Sequence, residues 1–283
     1  MDAGKHPESV RYTKDNPPPR WGGMEKSLES PNKGIRITAI SRLEIQALNS
    51  QSLEPLIRAM RDDLDKDVRV RAAQSLASAF SQGVNATTSP AQWAAVFDVL
   101  SDAIATGDEG LAREAMQAAY VLRRFKDRPG FERVVGRILD GMDSSDTAFR
   151  AECMSAFVRL LYGDRALMSR YVTPARRQSL SKAVLAGLKS DYGRYKVDAQ
   201  DAAHMLDLKE AIPSLIEMVR TDPEDPLRSY AAYTLGEIGD ASAIPALEQM
   251  AYTDPSVDGQ GFRSNRERAW QAIRAIRERT GSR

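Results

Sequence analysis

One nine-residue pattern recurs about seven times along the 283-residue chain, and it constrains the fold more than any other feature. It runs apolar, basic (usually Arg), two variable, two small or apolar, two variable, apolar. The clearest copies are Val68-Arg69-Val70-Arg71-Ala72-Ala73-Gln74-Ser75-Leu76 and Leu227-Arg228-Ser229-Tyr230-Ala231-Ala232-Tyr233-Thr234-Leu235. Its first, fifth, sixth and ninth positions form one apolar stripe on a helix of about 3.6 residues per turn. Such a stripe must be buried, and a unit that repeats buries it against its neighbours. The spacing therefore predicts an all-helical stack of helix pairs, with the pattern marking the second helix of each pair.

The copies begin near Ile35, Val68, Leu111, Phe149, Tyr195, Leu227 and Asn265, the third carrying its Arg113 one place late. The first helices have their own punctuation. Ser89-Pro90 and Thr173-Pro174 read as a cap followed by proline, whose missing N–H costs nothing in a first turn. Segments opening at Ile212-Pro213 and Ile244-Pro245 match at a separation of 32 residues. Gly236 and Gly239 are expected to end a second helix, with glycine accepting a left-handed cap. Residues 1–23 read as a flexible tail, because Pro17-Pro18-Pro19 imposes an extended chain, with Trp21 as its one anchor. Residues 24–283 form the repeat domain.

Composition narrows the function. The 40 basic residues balance 39 acidic ones, so no global field draws the chain to nucleic acid or to an anionic membrane. No apolar run spans a bilayer and no signal-type segment opens the chain, which reads as cytoplasmic. Cys153 is the only cysteine and sits among apolar neighbours, as a buried structural thiol would. His6 and His204 are the only histidines, too few with one cysteine for a zinc site. Asp62, Asp63, Asp65 and Asp67 lack the glycine and terminal glutamate of a calcium loop and read as a solvated turn. No phosphate loop or nucleophile elbow occurs. The expectation is a non-catalytic protein with no metal and no cofactor.

Residues 52–80 and 211–279 resemble HEAT repeats, in particular the short bacterial and archaeal type named after phycobilisome lyases. The resemblance rests on a turn aspartate six residues before the helix-start arginine, as in Asp63 with Arg69 and Asp222 with Arg228. It implies a right-handed α-solenoid of about seven helical hairpins, with the second helices on the concave side. It also implies an Asp–Arg ladder between repeats. That ladder is expected to be interrupted where Ser144 precedes Arg150 and Gln260 precedes Arg266. One enzymatic role follows from the resemblance alone, that of a bilin lyase or a chaperone for a tetrapyrrole protein.

Within each second helix the fourth and seventh pattern positions turn away from the stripe. In repeats three to six they read Glu114 and Gln117, Glu152 and Ser155, Asp198 and Asp201, Tyr230 and Tyr233. Glu114, Glu152, Asp198 and Asp201 are expected to supply charge, and Tyr230 and Tyr233 contact area, to a basic or amphipathic segment of a partner protein. A further alternative is phosphate binding along the C-terminal edge by Arg263, Arg266, Arg268, Arg274 and Arg277. Trp93, Trp270 and Tyr171 are the aromatic residues a base-binding version would use. The stretch 254–262 is longer than its counterpart in the preceding repeat and is expected to be a ligand-facing loop, with Phe262 folding back.

Overall fold

A computed structural model describes residues 24–50, 53–82, 88–106, 108–256 and 264–281, and every regular element among them is helical. The predicted tail with Trp21, and residues 257–263 of the long loop, lie outside the described residues. The chain divides into two compact units, residues 1–92 and 93–283.

The first unit pairs α1 (Met24–Ser27) with α2 (Lys33–Ser50) and α3 (Glu54–Asp62) with α4 (Lys66–Ser81). Helix α5 (Pro90–Ala105) opens at the boundary and precedes α6 (Glu109–Val121). The second unit continues with α7 (Phe131–Gly141) and α8 (Thr147–Leu161), then a short α9 (Arg165–Tyr171) before α10 (Pro174–Leu188) and α11 (Gly193–Met205). It ends with α12 (Ile212–Thr221) and α13 (Asp225–Ile238), and α14 (Ile244–Thr253) and α15 (Ser264–Thr280). All seven predicted second helices are present. In the second unit they pack in a row, α6 on α8, α8 on α11, α11 on α13 and α13 on α15. The pattern explains the row: Leu227, Ala231, Ala232 and Leu235 are all buried, as are Val68, Ala72, Ala73 and Leu76 in the first unit.

The helix starts follow local chemistry. Ser89 Oγ accepts from the Gln92 N–H at 3.2 Å while Gln92 Oε1 accepts from the Ser89 N–H at 2.8 Å, a reciprocal capping box. Asp65, Asp108 and Asp146 cap α4, α6 and α8 through their carboxylates. Gly239 ends α13 as expected but in an extended conformation, φ −68°, not a left-handed one. A Cβ there would stand 2.4 Å from the Leu235 carbonyl oxygen, so close approach is what requires glycine. Gly236 lies inside the helix, where a Cβ would press on Ala272 of α15.

Close approach also governs α10 against α11. A Cβ on Gly187 would meet Ala199 Cβ at 2.7 Å and Tyr195 Cε2 at 2.9 Å, both fully buried. Gly187→Ala is expected to destabilise by about 1–3 kcal/mol despite alanine's higher helix propensity. A urea midpoint no lower than wild type would show that the two helices can part at little cost.

The ladder runs farther than expected, and its rungs join one repeat to the next turn. Arg36 Nε and Nη2 donate to the two oxygens of Asp63 at 2.8 and 3.0 Å. Lys196 Nζ donates to Asp222 Oδ2 at 2.7 Å, and Arg228 Nε to Asp254 Oδ2 at 2.9 Å. Each arginine also reaches back to its own turn: Arg36 to the Ser30 carbonyl, Arg69 to Asp63, Arg150 to Ser144 and Arg228 to Asp222. In the middle the aspartate rung is absent as expected, and Arg150 Nε donates instead to Tyr195 Oη at 3.2 Å. The interruption expected at the end does not occur. Asp254 fills the place, and the longer loop merely moves it from six to 12 residues before Arg266, whose Nε donates to its carbonyl. Asp254 and Ser256 are therefore buried in the ladder.

Candidate functional site

Two tyrosines of the ridge stand in contact. Tyr230 and Tyr233, one turn apart on α13, stack with ring centroids 5.7 Å apart and planes at 17°. The Tyr230 hydroxyl donates to Asp201 Oδ1 on α11. Burial and the neighbouring Asp201 carboxylate push the Tyr230 phenol well above the ordinary range, so it stays a donor. Arg268 of α15 lies over the Tyr233 ring at 5.7 Å. Pro226, Ser229, Tyr230, Tyr233 and Arg268 line an open hollow of about 400 Å³.

Of the four acidic residues expected to supply charge, one is buried. Asp198 is buried, and the more exposed Arg194 one turn before it pairs with it, Nε to Oδ2 at 3.1 Å. Burial raises the Asp198 carboxyl and Arg194 partly offsets this. Asp201 is likewise raised by burial and partly restored by the Tyr230 hydroxyl. Glu152 on α8 pairs with Arg113 Nε at 3.0 Å, and Glu114 is half-buried on α6. The structure thus brings Asp201, Tyr230 and Tyr233 together, leaves Asp198 paired with Arg194 one turn away on α11, and leaves Glu114 and Glu152 on other helices.

Three residues outside the expected set join the cluster. His204 presents its ring edge-on to Tyr233 at 6.1 Å and to Tyr162 at 6.5 Å. Its Nε2 is 3.9 Å from Glu237 Oε2. The spacing of three and four residues carried past the ninth pattern position would have found them: Asp198, Asp201, His204 on α11, and Tyr230, Tyr233, Glu237 on α13. Tyr162 extends the same face of α8 beyond Glu152, Ser155 and Arg159.

Part of the arginine edge is held by the protein's own acceptors. Arg266 holds the Asp254 carbonyl at 2.8 Å, Arg277 pairs with Glu248 at 3.0 Å, and Arg279 donates to the Gly236 and Gly239 carbonyls at 2.8 and 2.6 Å. That last contact caps the end of α13, where carbonyls lack helical partners. Lys209 does the same at Ile238 and Arg123 at Tyr162, and Arg177 donates to the Leu206 carbonyl. Arg274 is exposed, and Arg263 lies outside the described residues. Of the aromatic residues a base would need, Trp93 and Tyr171 are buried. Trp270 is half-buried against Tyr252. Cys153 is fully buried, and burial with the nearby Glu152 pushes its thiol up to about 12. Among the described residues no group of three or more His, Cys, Asp and Glu is placed to hold a metal ion, and no helix is long and apolar enough to cross a membrane.

A family model described as HEAT repeats matches residues 181–259. No curated protein matches the chain. Among solved structures the fold is similar to that of an engineered protein, at 19% identity and TM-score 0.62, covering 91% of this chain and 68% of that one. It is similar also to an archaeal HEAT-like repeats protein from Thermococcus onnurineus NA1, at 14% identity and TM-score 0.53, covering 93% and 99%. A designed armadillo repeat protein matches at 15% identity and TM-score 0.51, covering 91% and 100%. At these identities the likeness is one of fold: an all-helical solenoid of the HEAT and armadillo type.

Proposed function

We propose that the chain is a non-catalytic scaffold that holds a segment of a partner protein along the row of second helices in residues 93–283. The observation that carries this reading is the stacked pair Tyr230 and Tyr233, held by Asp201 beside an open hollow. Rigid aromatic side chains offer large contact area at small entropic cost, which is why they dominate binding energy at interfaces. Asp198, paired with Arg194, lies one turn away from Asp201 on α11, and Asp201 contributes negative potential beside the tyrosines. Glu114 and Glu152 extend it along the row toward α6. The arginine edge favours this reading over phosphate tracking, since Arg266, Arg277 and Arg279 are engaged by the protein's own acceptors.

Tyr233 is half-exposed, so Tyr233→Ala is expected to leave the melting temperature nearly unchanged. A hot-spot loss of about 2 kcal/mol would lower partner affinity about thirtyfold. The check is affinity capture from the native organism, quantified by mass spectrometry for both proteins. A partner recovered equally by both would defeat the reading. Uptake of a coloured tetrapyrrole by the purified protein would replace it with the lyase role. A salt-dependent nucleic-acid shift would replace it with phosphate binding.

A further inference from the structure

We infer that Tyr162, His204, Tyr233 and Glu237, with Asp201 beneath them, form an anchor for one organic cation, the lysine or arginine side chain of the bound segment. This rests on the scaffold reading and assigns the chemistry of a single subsite within it. Three successive second helices supply the parts: Tyr162 follows the end of α8, Asp201 and His204 come from α11, and Tyr233 and Glu237 come from α13.

The convergence is electrostatic as well as spatial. The rings of Tyr162, His204 and Tyr233 are linked edge to face, at 6.5 and 6.1 Å. The Tyr233 phenol is raised by burial first, and then by Glu237, Tyr162 and Asp201 around it, with Arg268 acting in the opposite sense. Two carboxylates and two phenols therefore face one region. The cations at its borders have partners of their own: Arg194 on Asp198, Arg268 on the Tyr233 ring and Arg123 on the Tyr162 carbonyl. Tyrosine faces attract cations, and an ammonium or guanidinium would also find oxygen acceptors there. Tyr162 at 42% exposure and the Glu237 side chain at 45% leave the region open to a partner. An apolar or anionic side chain would gain nothing from the carboxylates. Charge complementarity thus selects a basic residue.

The probes are n-butylammonium and n-butylguanidinium, with neutral n-butanol as control, titrated while the tyrosine and histidine ring resonances are followed by NMR. Saturable shifts at the Tyr162, His204 and Tyr233 rings are expected with the two cations and not with the alcohol. Glu237→Gln and Tyr162→Leu alter exposed side chains and should each weaken cation binding about fivefold without changing the melting temperature. Equal response to the alcohol, or full affinity in both variants, would overturn the inference. If a partner is captured in a Tyr233-dependent manner while the rings ignore both cations, the cation anchor fails and the scaffold reading stands. If the cations bind but Tyr233→Ala leaves partner capture intact, the scaffold reading is the one that fails.

Discussion

Asp254→Ala is expected to cost about 3–5 kcal/mol, the range for removing one member of a buried ion pair. The carboxylate sits at the centre of the last rung. It accepts from Arg228 Nε at 2.9 Å, from the Ser256 N–H at 2.9 Å and from Asn265 Nδ2 at 3.4 Å. The Arg228 side chain is only 10% exposed, so without Asp254 its charge would keep Ser256, Asp225 and two carbonyls but lose its buried counter-ion. Burial by itself would raise the Asp254 carboxyl. The hydrogen bonds from Arg228 and Ser256 outweigh burial and hold it below the ordinary carboxylate range. The folded value therefore lies below the unfolded one. This stabilisation is complete above about pH 4 and is lost as the pH falls through the folded value. Urea denaturation should show the full deficit at pH 7 and a smaller one toward pH 3. A deficit constant with pH would mean that Asp254 acts through packing alone.

That rung also shows what could be read from the chain and what could not. The apolar stripe is a local consequence of sequence, so every second helix could be placed from its periodicity, down to Leu227, Ala231, Ala232 and Leu235 facing the core. The resemblance implies a ladder between repeats, but its motif, the six-residue spacing of Asp222 to Arg228, marks residues of one repeat only. Its lateral bonds instead join residues 27, 26 and 26 apart, Arg36 to Asp63, Lys196 to Asp222 and Arg228 to Asp254. That near-constant offset was present in the sequence. It was hidden because a lysine replaces one arginine and a longer loop displaces the last aspartate from its helix. The candidate site was half legible. Tyr230 and Tyr233 follow from helical spacing. The burial of Asp198 depends on how α11 packs between α8 and α13, and the approach of Tyr162 to His204 depends on how α8 meets α11. Neither is a property of one helix.

Trp93→Ala is the second large effect, expected at about 3–5 kcal/mol for deleting a fully buried indole. Trp93 lies 4.5 Å from the Phe125 ring centroid and 5.8 Å from Phe97, which itself meets Phe131 edge-on at 5.5 Å. These rings hold α5 against the turn after α6 and the start of α7, in a chain with only 7% aromatic residues. Alanine would leave a cavity that interlocked neighbours cannot close, and the melting temperature should fall on the order of 10 °C. The result bears on function because Trp93 and Tyr171 are two of the three aromatic residues, with Trp270, that a base-binding version would use. Both are interior, at 0% and 6% exposure. A small stability change accompanied by altered nucleic-acid affinity would mean that the indole is reachable and the core assignment wrong. A large stability change, with partner capture by the still-folded fraction undiminished, would leave contact with ligands to the row of second helices, where Tyr230, Tyr233 and Tyr162 reach solvent.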